Sequence, residues 1–168
     1  LSVTRINNET ASVNKSLEPV DEVMSSAVVR FRKRFPDALI NVFLPEDLIM
    51  VMMDPTLIEQ VIINILQNAQ VHSHSALPIE LRAYEDREHV WFSIKDYGVG
   101  IDEKKIDTIF DGEGYRSSED VKVDGYKGMG IGLSICKTIV MAHGGHIVAR
   151  NHGEGSEFLF YLPKETEE

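Results

Sequence analysis

The chain opens polar and becomes patterned only near residue 18. From there "EPVDEVMSSAVVRFRKRF" places Val20, Val23, Met24, Ala27, Val28 and Phe31 at the three-and-four spacing of a helix with one buried face. Pro19 is expected near its N1 position, Asp21 and Glu22 suit the positive end of its dipole, and Pro36 closes the segment. "LINVFLP" and "IMVMMD" are short apolar runs split by Pro45, Glu46 and Asp47, which predicts two strands. Met50, Met52 and Met53 are expected to fill core beneath the sheet. Asp54-Pro55 has the form of an N-cap with proline at N1, so a long helix starts there. "PIELRAYE" and "HVWFSIKD" predict two strands around a solvated acidic turn at 85–88. "IGLSICKTIVMAHGG" reads as an apolar helix stopped by Gly144 and Gly145, and "HIVARN" and "SEFLFYLP" as a closing hairpin. Helices and strands on separable faces predict an α/β chain, a two-layer α/β sandwich with a mixed, mainly antiparallel sheet.

Composition narrows the function classes without choosing among them. The 168 residues suit one domain with a real core, and a net charge of −10 argues against general affinity for nucleic acid or anionic lipid. A single cysteine, Cys136, excludes an internal disulfide framework and is expected in the core. No apolar run approaches the ~18 residues of a membrane span, so a soluble, cytoplasmic molecule is expected. Leu1 stands where a complete chain would carry Met, which reads as the start of a fragment.

Three features carry candidate chemistry. "VIINILQNAQVHS" is an apolar helix with Asn64 and Asn68 one turn apart on the same face. A desolvated amide without a partner costs roughly 1–3 kcal/mol. These two therefore either cap an internal loop or stand at a cleft and face a polar ligand. "KDYGVGI" puts Asp96 at a strand end before Gly98 and Gly100. An acceptor-only carboxylate there suits the exocyclic amine of adenine and not the carbonyl of guanine, and the glycines let backbone approach a planar base. An ordinary glycine-rich turn is the competing reading. "GYKGMGIGLS" places Gly128, Gly130 and Gly132 ahead of a helix, where free amides make an anion site, although the spacing fits neither a P-loop nor a dinucleotide fingerprint. The glycine-rich stretch from 97 to 132 is long enough to be a binding loop.

In that order, the motifs resemble the ATP-binding catalytic domain of sensor histidine kinases, in the superfamily shared with DNA gyrase, the Hsp90 chaperone and MutL. "NILQNA" resembles the N box, "DYGVGI" the first glycine box, Ile109-Phe110 the F box, and "GMGIGLSICKTIVMAHGG" the second glycine box. The likeness covers about residues 18–163, and "VRFRKRFPDALINVFLPEDLIMVMMDPTLIEQV" is similar to potassium-responsive, Kdp-type sensor kinases. It implies a Bergerat fold, a sheet packed under three helices with a flexible ATP lid. It also implies an arm or remnant of a dimerisation and phosphoacceptor domain over 1–17, the catalytic domain over 18–164, and a tail at 165–168.

The resemblance implies roles residue by residue. Asn68 would coordinate Mg2+ bound to ATP, with Asn64 the other catalytic N-box position. Asp96 would read adenine, with His72, Gly98, Gly100, Ile101 and Phe110 around the nucleotide. Gly128, Met129, Gly130, Ile131, Gly132 and Leu133 would form the phosphate-contacting hinge of a lid over 111–127, with Arg116, Lys122 and Lys127 as phosphate partners. Gyrase-like and MutL-like members carry a glutamate base at the Asn64 position. An amide cannot take a proton, and losing general-base help costs a factor of roughly 10²–10⁴. That loss hurts water attack more than attack by a neutral imidazole, so phosphoryl transfer to histidine is implied.

None of the six histidines lies in an H-E-[LF]-R-x-P context, so the acceptor is expected on a separate dimerisation domain, with a response regulator downstream and an inner-membrane-anchored parent. One departure stands out. The family reads N-A-x-K-[YFH], and here Val71 replaces the lysine. A degenerate nucleotide-binding or docking module without transferase activity is therefore the alternative. His72-x-His74 and His143-x-x-His146 lack the cysteines or carboxylates of a metal shell and are expected to be solvated or structural.

Overall fold

The computed structural model describes residues 13–112 and 129–164. In chain order the elements are β1 (Ser16–Pro19), α1 (Val20–Arg34), β2 (Ile40–Phe43), β3 (Met50–Met53), α2 (Pro55–His72), β4 (Ile79–Glu85) and β5 (His89–Lys95). The short α3 (Glu103–Ile106), α4 (Met129–Ala142), β6 (His146–Asn151) and β7 (Ser156–Pro163) follow. Five strands form one sheet in the order β2-β4-β5-β7-β6, in which β2 runs parallel to β4 and every other pair is antiparallel. The helices α1, α2 and α4 cover one face of it, the expected sandwich.

The alternation in each strand decides which side chains meet the helices. Ile79, Leu81 and Ala83 of β4, Val90, Phe92 and Ile94 of β5, and Phe158, Phe160 and Leu162 of β7 point inward and are buried. Phe92 and Phe160 stack across the β5–β7 pair at 4.7 Å. Trp91, Tyr84 and Tyr161 alternate to the opposite face and touch one another there. Above the sheet, α1 buries the six apolar positions read from its spacing, while α2 buries Leu57, Ile58, Val61, Ile62, Ile65, Leu66 and Ala69.

The N-terminal stretch holds a strand that the sequence did not predict. Ser16 to Pro19 pairs antiparallel with β3 as a separate two-stranded ribbon, Val13 packs on the core, and the Asn14 N–H donates to Asp54 Oδ2 at 3.0 Å. Residues 13–17 are thus docked on the domain, and Pro19 is the N-cap of α1 instead of N1. The ribbon also revises the methionines. Met53 is fully buried, but alternation turns Met50 outward at 39% exposure and leaves Met52 half-buried.

Asp54 behaves as read, its Oδ1 accepting the Leu57 N–H at 3.3 Å with Pro55 at N1. Its own N–H donates to His143 Nε2 at 3.0 Å, and His143 Nδ1 lies 2.8 Å from the Ile139 carbonyl. The structural reading of His143 is therefore specific: one buried imidazole ties the start of α2 to the end of α4. The chain then turns at Gly144, with φ +80°, and Gly145 passes against the Tyr161 carbonyl where no Cβ would fit.

Burial pushes the His143 imidazole below its ordinary value, helped by the charge of Lys15 and opposed by the Ile139 carbonyl and Asp54. With the folded pKa depressed, the unfolded chain takes up this proton first as pH falls, so stability is full above about 6.5 and drains away below it. Urea unfolding between about pH 7.5 and about pH 5.5, above the carboxylate range, is expected to show stability falling in the wild type. The slope should be smaller in His143→Gln.

Candidate functional site

The cavity follows from how α2 ends against the β5–α3 loop. A space of about 280 Å³ opens there, lined by Asn68, His72, Asp96, Gly100, Ile101 and Lys105 among others. Five of the residues singled out in the sequence meet in it. A larger cavity of about 380 Å³ lies between the β2–β3 loop and β4, around Glu46, Asp47, Arg82 and Glu85, and contains none of them. Chemistry, not size, marks the smaller space, which gathers the buried polar residues Asn68, Ser73, Asp96 and Ser156.

Asp96 is buried at the end of β5, and its carboxylate organises the loop. Oδ1 accepts the N–H groups of Gly98 at 3.0 Å and Ser156 at 3.3 Å, and Oδ2 accepts the Ser156 hydroxyl at 2.6 Å. Each carboxylate oxygen has two acceptor positions, so Oδ2 retains one for a donor in the cavity. The Asp96 carbonyl lies 2.7 Å from His152 Nε2. Asn151 clamps the other end, accepting from the Ile101 N–H at 2.7 Å and donating to the Ile101 carbonyl at 2.8 Å. Gly100 adopts φ +79° against that Asn151 amide. Gly98 meets protein backbone: a Cβ there would lie 2.1 Å from the Ser73 carbonyl oxygen, so the glycine admits the chain after α2.

On the opposite wall, Asn68 is 5% exposed, and its Oδ1 has no hydrogen-bond partner among the described residues. Leaving a buried acceptor unmade costs roughly 1–3 kcal/mol unless a ligand answers it. A neutral carbonyl oxygen is the hard donor that Mg2+ takes beside phosphate oxygens and water, so the site fits the metal that the sequence implied. Asn64 points elsewhere. Its Oδ1 accepts from Gln60 Nε2 at 2.7 Å, and its Nδ2 donates to the Gly132 carbonyl at 3.2 Å.

Phe110 packs edge-on to Phe158 at 6.0 Å and Leu133 is core, so both support the site from behind and do not line the cavity. Cys136 is core too, with burial pushing its thiol up to about 12. Met129, Gly130 and Ile131 begin α4. Arg116, Lys122, Lys127 and Gly128 lie outside the described residues, as does the lid beyond Gly112. Sequence reading missed Ser73, Asp102, Lys105 and Ser156 in the cavity wall, where His74, expected to be solvated or structural, also stands. Ser156 is 60 residues from Asp96, beyond any local pattern.

A family model described as histidine kinase-, DNA gyrase B-, and HSP90-like ATPase matches residues 53–166, and the chain belongs to that family. Within it the chain is similar to Sensor protein KdpD of Clostridium acetobutylicum, 45% identical over 166 residues, which cover 98% of this chain and 18% of that protein. Sensor protein KdpD of Escherichia coli strain K12 is 32% identical over 167 residues, 99% of this chain and again 18% of the relative. The likeness to Kdp-type sensor kinases therefore holds, for a chain spanning under a fifth of their length. Among solved structures, the catalytic domain of histidine kinase ThkA superposes with a TM-score of 0.75 at 26% identity, over 90% of this chain and 99% of that one. Full-length ShkA in complex with AMPPNP superposes with a TM-score of 0.75 at 25% identity, over 99% of this chain and 35% of that one. Among the described residues no helix is long and apolar enough to cross a membrane.

The glycines of the two boxes differ in what they tolerate. Gly98→Ala drives a Cβ into the Ser73 backbone and is expected to cost ~3 kcal/mol in urea unfolding. Gly132→Ala, whose Cβ would only reach ordinary contact with Asn64 at 3.7 Å, should stay within ~1 kcal/mol of wild type.

Proposed function

We propose that this chain binds ATP with Mg2+ in the cavity between α2 and the β5–α3 loop. From there it passes the γ-phosphoryl group to a histidine on a separate dimerisation and phosphoacceptor domain. The observation that carries this reading is the pair of walls: a buried Asn68 carbonyl without a partner among the described residues, and across from it a buried Asp96 with an acceptor position to spare. The family likeness and the ATP analogue in the ShkA complex support the choice of ligand. We take 18–164 as the catalytic unit, with the parent kinase membrane-anchored and a response regulator receiving the phosphoryl group.

Each residue then has a task. Asp96 accepts from the adenine amine and repels the guanine carbonyl. Gly100 and Ile101, fixed by Asn151, present the loop to the base. His72 flanks the nucleotide from the end of α2, and the backbone amides that begin α4 are proposed as phosphate partners. Asn68 would hold the metal, whose charge would offset that developing on the transferring group. A bond forms between the imidazole nitrogen of the acceptor and the γ-phosphorus, the bond to the bridging oxygen breaks, and ADP leaves. No side chain here needs to act as a base, because a neutral imidazole is already a nucleophile. Arg116, Lys122 and Lys127 are proposed as lid cations.

Val71 favours a second reading, a nucleotide-binding or docking module without transferase activity, because an apolar side chain cannot neutralise phosphate. Lys105 in the cavity wall is a cation placed to offset that loss. Mixing the chain, ATP and Mg2+ with the acceptor domain of the same gene distinguishes the two. Acid-labile phosphohistidine is expected, and ATP binding without transfer would favour the second reading. Calorimetry should show Asp96→Asn weakening ATP about tenfold or more, whereas Asn68→Ala should mainly abolish the Mg2+-dependent part of binding and transfer. Unchanged ATP affinity in the Asp96 variant would refute the adenine contact.

A further inference from the structure

Asn64 sits on the face of α2 that carries Asn68, yet it does not line the cavity. Both ends of its amide are engaged by protein. Gln60, one turn earlier, donates to Oδ1 at 2.7 Å, which fixes the amide orientation and turns Nδ2 toward α4. Nδ2 then donates to the Gly132 carbonyl at 3.2 Å, in the first turn of that helix. Beside this contact the buried Cys136 thiol reaches the Val61 carbonyl at 3.7 Å and lies within hydrogen-bonding reach of Asn64. Gly132 leaves the seam open, since even an added Cβ would only touch Asn64 at 3.7 Å.

The geometry points to Asn64 as a positioning residue that sets the distance between the metal-binding amide and the phosphate-facing start of α4. Two asparagines four residues apart on one helix are separated by ~6 Å along its axis. One grips the backbone of the neighbouring helix, and the other leaves its carbonyl to the cavity. The first therefore fixes where the backbone amides at the start of α4 stand relative to the second. A carboxylate at this position, as in the hydrolases of the superfamily, would set an acceptor against the Gly132 carbonyl and could not form this link. The amide is needed for its donor. The inference rests on the nucleotide reading above and adds to it a residue that touches neither nucleotide nor metal.

The test compares two ligands that share the base and differ in phosphate. Affinities for Mg-ATP by calorimetry and for adenosine by NMR titration are measured on wild type, Asn64→Ala and Asn64→Leu. The leucine keeps the volume in the seam and guards against simple unfolding, which a thermal melt checks. Both variants are expected to weaken Mg-ATP about tenfold, the scale of one hydrogen bond, with adenosine unchanged within about twofold. Hydrogen exchange should speed up in the second turn of α4, whose amides bond back to the turn that Asn64 holds. Equal weakening of both ligands would reduce Asn64 to general packing, and undiminished ATP affinity would remove the positioning role; either overturns the proposal. A wild type that binds neither ligand overturns the nucleotide reading itself.

Discussion

The domain is organised around the burial of α2. That helix lies between α1, α4 and the sheet, with Leu57, Ile58, Val61, Ile62, Ile65 and Leu66 fully buried. A helix surrounded on so many sides has little room for polar groups, and every amide on it must be answered. Gln60 and Asn64 answer each other and the Gly132 carbonyl. The Asn68 carbonyl oxygen has no partner among the described residues and faces the cavity. The same constraint that makes the fold stable therefore makes this atom conspicuous, and under the proposed function a hard cation carried with phosphate answers it.

Opposite this helix the site is built by backbone, not by a row of side chains. The loop after β5 is held at Asp96 by the Ser156 N–H and hydroxyl, at Ile101 by Asn151, and at Gly98 by close approach to Ser73. All these partners come from segments distant in sequence. The loop keeps its shape before a ligand arrives, which lowers the ordering cost of binding. The outer face of the sheet, with Trp91, Tyr84 and Tyr161, takes no part in it.

What could be read from the chain follows the range of the forces involved. The helices were legible because periodicity and caps are local, as with Asp54 and Pro55 at the start of α2. Asn68 and Asp96 were legible because a polar residue in an apolar setting is conspicuous wherever it occurs. β1 was not, since four residues containing a proline show no alternation, and its pairing with β3 depends on the fold. The close approach at Gly98 was not legible either. Its neighbour is the Ser73 backbone, 25 residues earlier in the chain, and nothing local announces that contact. Ser156, Lys105 and the tie from His143 to Asp54 are likewise products of tertiary assembly.

A divalent cation carried by ATP is proposed to sit against Asn68. Substituting Mn2+ for Mg2+ makes that position visible, because the paramagnetic ion broadens nearby NMR signals. With Mn-ATP the side-chain amide of Asn68 should broaden first and most, while the Trp91 indole on the far face of the sheet stays sharp. Broadening centred instead on Glu46 and Asp47 beside the larger cavity, or uniform across the protein, would contradict the account.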